Sequence, residues 1–282
     1  MTENNISMMG DTKIIALATD GSSFSDGAVQ EAFFFAQACG AKIIVINVIN
    51  IDAEAATSAH AAAASMRSDM KAYIDNIKKK SADMEIECEV VIRESYQPDK
   101  TIVDLAYQYE ADVIIMGRHG KRGLLKLLVG SMTSKVIGRG FPRVLVVPKD
   151  FAITGEKILL ATDGSKYSQM AAEESIRMST NCTTLKEVYV LSVVSRKAEL
   201  DDARQLTESI CENARKRVGD TSYTAMALVG RPSEVIAATA LEKNIDMILI
   251  GGHGKGIGKL LMGHVTEKVI GRTHCAVLVI KN

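Results

Sequence analysis

The chain repeats one long pattern. The segments 111–148 and 245–281 both run from an apolar strand through Gly-x-x-Gly, a basic loop, a second glycine and Lys-Val-Ile-Gly-Arg to another apolar strand. Both halves also begin with the same Ala-Thr-Asp-Gly-Ser sequence. The period of about 135 to 145 residues far exceeds the roughly 20 to 50 residues of solenoid repeats, so each copy can bury a core of its own. We therefore predict two fused globular domains, residues 1–150 and 151–282.

Short apolar runs alternate with segments of helical periodicity in both halves. Runs of strand length occur at 14–18, 43–49, 86–92, 113–116 and 144–147, and again at 158–161, 188–194, 223–228, 247–250 and 276–280. In the first half, helices are predicted over 24–39, 53–79, 99–109 and 132–139. Strands that alternate with helices pair in parallel, through right-handed crossovers. We predict an α/β fold in which each half is a doubly wound parallel sheet, with the charged third run at an edge and the apolar fourth run at the centre.

Composition and charge exclude several classes of protein. Hydrophobic residues make up 47% of the chain, and 34 basic residues balance 34 acidic ones, so no overall field attracts nucleic acid or an acidic membrane. No run approaches the roughly 20 apolar residues of a membrane-spanning helix, and the amino terminus lacks the apolar core of a secretion signal. The five cysteines are scattered without a Cys-x-x-Cys pair, which argues against disulfides and a zinc site. We expect a cytoplasmic protein with reduced thiols.

A glycine motif follows the predicted fourth strand of the first half. Gly117-Arg-His-Gly120 is followed, after nine residues, by Gly130-Ser131. Glycine allows main chain to approach a bulky anion, and Gly130-Ser131 begins a predicted helix whose unpaired N–H groups and positive dipole end favour phosphate. The alternative is that the glycines only form a turn and that Ser131 is a simple helix N-cap. Because open parallel sheets bind ligands at the carboxyl ends of their strands, we predict a phosphate site here.

An acidic residue, Asp20, follows the first strand. Its carboxylate could accept a hydrogen bond from a ribose hydroxyl, assist a bound Mg²⁺, or cap the helix that follows, and the sequence leaves these roles open. The chain contains no Walker A motif, and no Gly-x-Gly-x-x-Gly follows the first strand. The two commonest nucleotide-binding motifs are therefore excluded.

Together, Asp20, the Gly-x2-Gly-x9-Gly-Ser motif and the closing Val-Leu-Val-Val-Pro strand resemble the universal stress proteins in tandem form. The resemblance covers essentially the whole chain, and the first half has the motif spacing of the ATP-binding branch of that family. It implies five-stranded sheets of order 3-2-1-4-5 and ATP, bound with Mg²⁺, as the ligand. The residues that it places around the nucleotide are Thr19 and Asp20 at the ribose and adenine, Val48 and Met116 against the base, and Gly117, Gly120, Gly130, Ser131 and Thr133 at the phosphates. For Val48 and Met116, core packing is the alternative.

The second half departs from this motif. Gly251-Gly-His-Gly254 is followed by only eight residues before Gly263, and His264 replaces the serine. We expect the deletion to shift the start of the helix and the imidazole to hinder phosphate, which weakens a nucleotide site here. Asp163, Val193 and the glycines of the motif are nevertheless present, so the sequence leaves open whether this site is occupied.

The resemblance also implies that the two fifth strands, 144–147 and 276–280, pair with each other and form an internal pseudo-dimer. Such pairing would cover two apolar strand edges. A homodimer of the whole chain is possible as well. The alanine-rich stretch 53–70 is longer than its counterpart in the second half, and it either covers the nucleotide cleft or extends a solvent-facing helix.

The function implied by the resemblance is that of an ATP-binding stress-response regulator or adaptor with an unidentified protein partner. We expect slow or no ATP hydrolysis, because the sequence contains no Gly-x-Ser-x-Gly and no His-Glu-x-x-His motif. One alternative is an ATP-consuming nucleotidyl-transfer enzyme, which would carry a Ser-Gly-Gly-x-Asp-Ser loop where this chain has Asp-Gly-Ser-Ser. Another is a nucleotide-free scaffold that binds a protein or a different small ligand.

Overall fold

The computed structural model of the chain describes residues 9, 11–51, 60–119, 129–254 and 262–281, with the backbone alone for 60–69. In the first half the elements are β1 (Ile14–Ala18), α1 (Asp26–Cys39) after a 3-10 turn (Ser23–Ser25), β2 (Lys42–Asn50), α2 (His60–Asp83), β3 (Cys88–Ser95), α3 (Pro98–Gln108), β4 (Val113–Gly117), α4 (Ser131–Gly138) and β5 (Arg143–Val147).

The second half repeats this order. Its elements are β6 (Lys157–Ala161), α5 (Lys166–Asn181), β7 (Glu187–Val194), α6 (Leu200–Arg215) after a 3-10 turn (Lys197–Glu199), β8 (Ser222–Val229), α7 (Pro232–Glu242), β9 (Met247–Gly251), α8 (His264–Arg272) and β10 (Ala276–Ile280). The predicted α/β architecture is confirmed.

The described strands form one sheet of order β3-β2-β1-β4-β5-β10-β9-β6-β7-β8. Within each half the strands are parallel and follow the order 3-2-1-4-5. The fifth strands pair antiparallel, with Leu145 opposite Leu278, and both side chains are fully buried. Each half therefore covers the apolar fifth-strand edge of the other half, as the resemblance implies.

Several predicted boundaries differ from the structure by one to four residues. The third strand was expected at 86–92 but begins at Cys88, because Glu85 takes a left-handed conformation (φ 55°) after α2. The Ile86 N–H then bonds to the Ser81 carbonyl at the end of that helix. The first helix begins two residues later than predicted, since 23–25 form a tighter turn. The start of the predicted helix 53–79 lies outside the described residues, and α2 continues to Asp83.

The segment that joins the halves is held by a buried aspartate, Asp246, just before β9. Its carboxylate accepts hydrogen bonds from the N–H groups of Thr154 (2.9 Å), Glu156 (2.9 Å) and Lys157 (2.8 Å) and from the Thr154 hydroxyl (2.7 Å). Asp112 has the equivalent position before β4 and accepts from the N–H groups of Lys13 and Ile14, at 2.7 and 2.9 Å. Both aspartates therefore anchor the strand that begins their half.

A buried glutamate on α1, Glu31, also holds this linker. Its side chain is 1% exposed, and one carboxylate oxygen accepts from the Ile153 N–H at 3.2 Å. Burial raises the pKa of Glu31 to about 7, the bond from Ile153 opposes that rise, and the charge of Asp246 adds to it. The neutral carboxyl is therefore the form that the folded chain favours.

Because the folded-state pKa is raised, Glu31 stabilises the fold at low pH, and this contribution is lost as pH rises from about 4.5 to about 7. Glu31→Gln should remove most of this pH dependence, which is on the order of 3 kcal/mol. Urea unfolding at pH 5 and pH 8 measures the difference. Glu242→Gln, at a carboxylate that is 70% exposed, is the control and should keep the wild-type profile. Parallel profiles for Glu31→Gln and wild type would contradict this assignment.

Candidate functional site

The predicted site residues of the first half lie at one edge of the sheet. Thr19 and Asp20 directly follow β1, and Gly117 ends β4. These strands are neighbours in the sheet, with Ala18 opposite Met116. Because the carboxyl ends of parallel strands meet at the same edge, the two motifs are brought together.

The Asp20 carboxylate orders the loop between β1 and α1. Its Oδ1 accepts from the Ser22 N–H (3.0 Å), the Ser22 hydroxyl (2.6 Å) and the Ser25 hydroxyl (3.2 Å). Gly21 has a φ of 71°, which suits the turn that these bonds close. These bonds order the turn before α1, whereas the N-cap position of that helix is Ser25.

Thr19 contacts two residues that the sequence did not single out, one through its side chain and one through its main-chain carbonyl. Its hydroxyl lies 2.8 Å from the Tyr73 hydroxyl of α2, and its carbonyl accepts from the Asn47 amide at 2.8 Å. A Cβ on Gly21 would lie 2.8 Å from the Met70 methyl group, so α2 packs directly over this loop. Asn47 could have been noticed as the polar residue within the apolar run of β2, whereas Tyr73 offered no local signal.

Gly117 is needed for packing at the end of β4. A Cβ there would lie 2.7 Å from the Phe24 carbonyl oxygen in the turn before α1. The buried Thr133 hydroxyl donates to the Gly117 carbonyl at 2.9 Å, and the Gly130 N–H donates to the Arg118 carbonyl at 2.9 Å. The structure therefore places Thr133 behind the loop, where it fixes α4 against β4. The predicted residue Gly120 lies outside the described residues.

The first turn of α4 points its N–H groups toward this edge of the sheet. The N-cap is Gly130, which has no side chain to accept from them, and Ser131 is exposed. Met116 belongs to the apolar core on one face of the sheet, and Val48 packs against that core. Both residues therefore have the core-packing role that was the alternative to contact with the base.

The second half contains a cavity of about 290 Å³ at the equivalent edge. All six residues that the sequence assigned to a second site line it: Asp163, Val193, Gly251, Gly254, Gly263 and His264. Leu191, Ile236 and Ile250 form an apolar wall. The structure therefore brings the whole predicted set together.

The shorter loop of the second half does not shift the start of its helix, contrary to our expectation. Gly263 has φ and ψ of −63° and 140°, compared with −58° and 141° at Gly130. The Gly263 N–H donates to the Gly252 carbonyl at 2.8 Å, and Thr266 donates to the Gly251 carbonyl at 2.9 Å, as their counterparts do in the first half. These two anchors fix the helix start. His264, like Ser131, is exposed.

His253 of the second glycine loop is buried without a hydrogen-bond partner for either ring nitrogen among the described residues. Its side chain is 2% exposed and lines the cavity, with its ring 5.9 Å from the Tyr167 ring. Burial, together with the charge of Lys281, lowers the pKa of His253. The imidazole is therefore neutral at physiological pH, with one donor and one acceptor nitrogen.

Two cationic side chains, one in the first glycine loop and one packed over the second, contact the far end of the other half's site helix. Arg118 donates to the Thr273 carbonyl at 2.7 Å, just after α8. Lys281 lies over Gly252, where a Cβ would be 2.5 Å from the Lys281 stem, and its ammonium donates to the Gly138 carbonyl of α4 at 3.4 Å. Cations are favourable at helix carboxyl ends. These two contacts, which sequence reasoning missed, cross the boundary between the halves.

The described residues contain neither a cluster of metal ligands nor a membrane-spanning helix. Within these ranges no three His, Cys, Asp or Glu side chains come close enough to hold a metal ion together. No described helix combines the length and apolar character needed to span a membrane. Asp20 still fits a magnesium ion carried by a nucleotide, because Mg²⁺ takes one or two carboxylates together with phosphate oxygens and water.

The chain is similar to known proteins over its full length. The universal stress protein family model matches residues 12–148 and 155–281. Universal stress protein Slr1230 of Synechocystis is 25% identical over 292 aligned residues, which cover 94% of this chain and 99% of that protein. Universal stress protein MJ0531 of Methanocaldococcus jannaschii is 32% identical over 142 residues, 45% of this chain and 82% of the relative.

A solved structure shows the same fold. The crystal structure of a universal stress protein from Archaeoglobus fulgidus superposes with a TM-score of 0.76 at 22% identity, and the match covers 99% of this chain and 98% of that one. The two matched segments each contain one five-stranded half of the sheet described above. The chain therefore belongs to the universal stress protein family and carries two family domains in tandem.

Proposed function

We propose that the first half binds ATP with Mg²⁺ and that the chain acts as a nucleotide-dependent regulator or adaptor in the stress response. One observation carries this proposal. The first turn of α4, whose N-cap is a glycine, is fixed beside the Asp20 loop by the bond from Thr133 to Gly117. An uncapped helix start next to an ordered carboxylate suits a ligand that presents both phosphates and sugar hydroxyls.

The roles of the individual residues follow from their positions. The N–H groups of the first turn of α4 and the Ser131 hydroxyl bind phosphate oxygens. Asp20 accepts from a ribose hydroxyl and faces the magnesium ion that the phosphates carry. Thr19 lies beside the sugar and base, and Val48 and Met116 supply apolar surface. When bound, Mg²⁺ neutralises phosphate charge.

We propose binding without rapid turnover in a cytoplasmic protein. The Oδ1 atom of Asp20 accepts three hydrogen bonds within its own loop, so this oxygen is held by the loop and is poorly placed to activate a water molecule. A regulatory role is supported by Arg118. Its main chain belongs to the glycine loop, while its side chain contacts the carbonyl of Thr273 in the other half. A nucleotide that changes the conformation of this loop would therefore shift the conformational equilibrium of the second half. That shift would change how the chain binds a protein partner.

A charge placed at Ser131 tests the ATP site. Ser131→Glu should weaken ATP binding by about 100-fold, because its carboxylate would lie beside the phosphates and repel their negative charge. Ser131→Gln has the same size without the charge and should stay within about threefold of wild type. Isothermal titration at fixed salt measures both variants. An acidic residue suits the first turn of a helix, so the Glu variant should fold normally. Equal ATP affinity of the Glu and Gln variants would refute the proposal.

A further inference from the structure

We propose that the outer edge of β8 pairs with the same edge of a second copy of this chain, so that the two sheets join into one dimer. The β5–β10 pairing lies at the other end of the second half's strands, and the new contact does not depend on the proposed binding of ATP. It rests on the main-chain groups that β8 leaves open, on its lack of charge, and on the way its side chains match one another across a twofold axis.

β8 is an edge strand whose main-chain groups on one side are open. Among the described strands it pairs with β7 alone. The Gly230 N–H, just after the strand, donates to the Val194 carbonyl of β7 at 2.9 Å, so even-numbered residues face β7 and odd-numbered ones face outward. The outward carbonyl of Tyr223 accepts from the Arg215 guanidinium at 2.9 Å. The described residues supply no such partner to the outward groups that follow, those of Ala225, Ala227 and Val229.

The repeat gives the counterpart of each residue of β8 in the other edge strand, β3. The residue of β2 whose carbonyl accepts from the Thr19 N–H pairs with Val91. In the second half, the residue of β7 whose carbonyl accepts from the Thr162 N–H pairs with Met226. Val91 and Met226 are therefore equivalent. The residues two and three positions further along are counterparts as well: Arg93 and Glu94 in β3, Leu228 and Val229 in β8.

The exposed end of β8 is apolar where that of β3 is charged. Leu228 and Val229 are 36% and 46% exposed, and their counterparts Arg93 and Glu94 are exposed too. Charged side chains on an edge strand discourage pairing with another chain. The sequence of β8, Ser222–Val229, contains no charged residue. One end of the sheet is therefore protected against pairing, and the other is not.

β8 is complementary to itself in one antiparallel register. A pair centred on Ala227 uses the outward groups that lack partners and avoids the carbonyl at the start of the strand, which is already paired. Met226 then lies opposite Leu228 of the second copy, and Ala225 lies opposite its Val229. Every facing pair is apolar, and about six main-chain hydrogen bonds form between the strands. A twofold axis perpendicular to the sheet relates the two copies.

The chain already makes a contact of this kind between its own halves. β5 and β10 are apolar edge strands of two parallel sheets, and they pair antiparallel. That pairing covers both edges. A second copy would do the same for Leu228 and Val229, which is why we choose it as the occupant. Because few residues take part, the dissociation constant should be micromolar.

Sedimentation equilibrium of the full chain between about 1 and 100 μM should show a monomer that becomes a dimer as the concentration rises. The double variant Leu228→Arg/Val229→Glu gives β8 the residues that β3 has at these positions. It should raise the dissociation constant by about tenfold or more, because charges enter an apolar contact. Both side chains are exposed, so the urea midpoint of the monomer should stay close to wild type. Ile92→Lys, at an exposed position of β3, is the control and should leave the dimer intact.

Hydrogen exchange tests the register without relying on the double variant. The outward N–H groups of Ala225 and Ala227 should exchange about tenfold or more slowly in the dimer than in the dilute monomer. The N–H of Met226 faces β7 and should be protected in both. Ala227→Pro removes one outward N–H without breaking a bond to β7, as edge strands allow, and should also prevent dimerisation.

Several results would overturn the proposal. One is a wild-type chain that stays monomeric over the whole concentration range, including one whose β8 amides are protected only by an unrelated extended peptide. Another is a double variant that dimerises as well as wild type. A third is a loss of the dimer in Ile92→Lys, which would mean that β8 pairs with β3 of another copy and not with itself. None of these results bears on ATP binding, which the Ser131 variants test separately.

Discussion

Gly27→Ala is expected to lower the free energy of unfolding by about 3 kcal/mol, even though alanine normally stabilises a helix by roughly 0.5 to 1 kcal/mol relative to glycine. Gly27 is in the first turn of α1, where a Cβ would lie 2.1 Å from the Pro148 carbonyl oxygen and 2.9 Å from that of Lys149. Both atoms are main-chain carbonyl oxygens just after β5. Unlike the end of a flexible side chain, they cannot move aside by a change of rotamer. Either α1 or the start of the linker must move.

Urea unfolding of Gly27→Ala measures this effect, and Gly219→Ala is the control. No atom would lie within 4 Å of a Cβ at Gly219, so that variant should differ little from wild type. Because α1 follows the Asp20 loop, the displacement should also weaken ATP binding in the folded fraction. A Gly27→Ala protein as stable as Gly219→Ala would show that α1 does not pack on β5 as described.

Asp246→Ala should be somewhat more damaging than Gly27→Ala, with a loss of about 4 kcal/mol. The substitution leaves three N–H groups of the linker and β6 without their acceptor, and each buried donor left unpaired destabilises by about 1 to 3 kcal/mol. Asp246 is 5% exposed, so water cannot readily replace it. Asp246→Asn keeps one acceptor oxygen and should lose about half as much.

The repeat supplies the matched control for this second substitution. Asp112 accepts from two N–H groups, and its side chain is 33% exposed, so Asp112→Ala should lose about 2 kcal/mol or less. Thermal and urea unfolding of both variants give the comparison. An equal loss at the two positions would mean that the linker contacts of Asp246 add nothing to the stability of the fold.

The architecture was predictable because it depends on patterns within short windows. Strand-length apolar runs that alternate with helical segments predicted the parallel sheets, and the charged alternation of the third run is consistent with β3 at the edge of the sheet. The second-site residues were also found from the sequence, since the repeat aligns them with the first half. Local periodicity thus predicted most of the fold, and the repeat predicted which second-half residues lie together at the edge of the sheet.

Other features could not be predicted, because they depend on residues far apart in the chain. The contact of Thr19 with Tyr73 and that of Arg118 with Thr273 join segments without any shared pattern. Counting loop residues predicted a displaced helix in the second half, but Thr266 fixes its position independently of loop length. The need for glycine at 117 was attributed to an anion, whereas the Phe24 carbonyl already requires it.

The antiparallel pairing of β5 with β10 reverses the direction of the strands from one half to the other. The carboxyl ends of the two sets of parallel strands therefore lie on opposite rims of the continuous sheet, and so do the two candidate sites. A single flat partner surface cannot cover both of them. A partner that covers the candidate site of one half therefore leaves the candidate site of the other half uncovered.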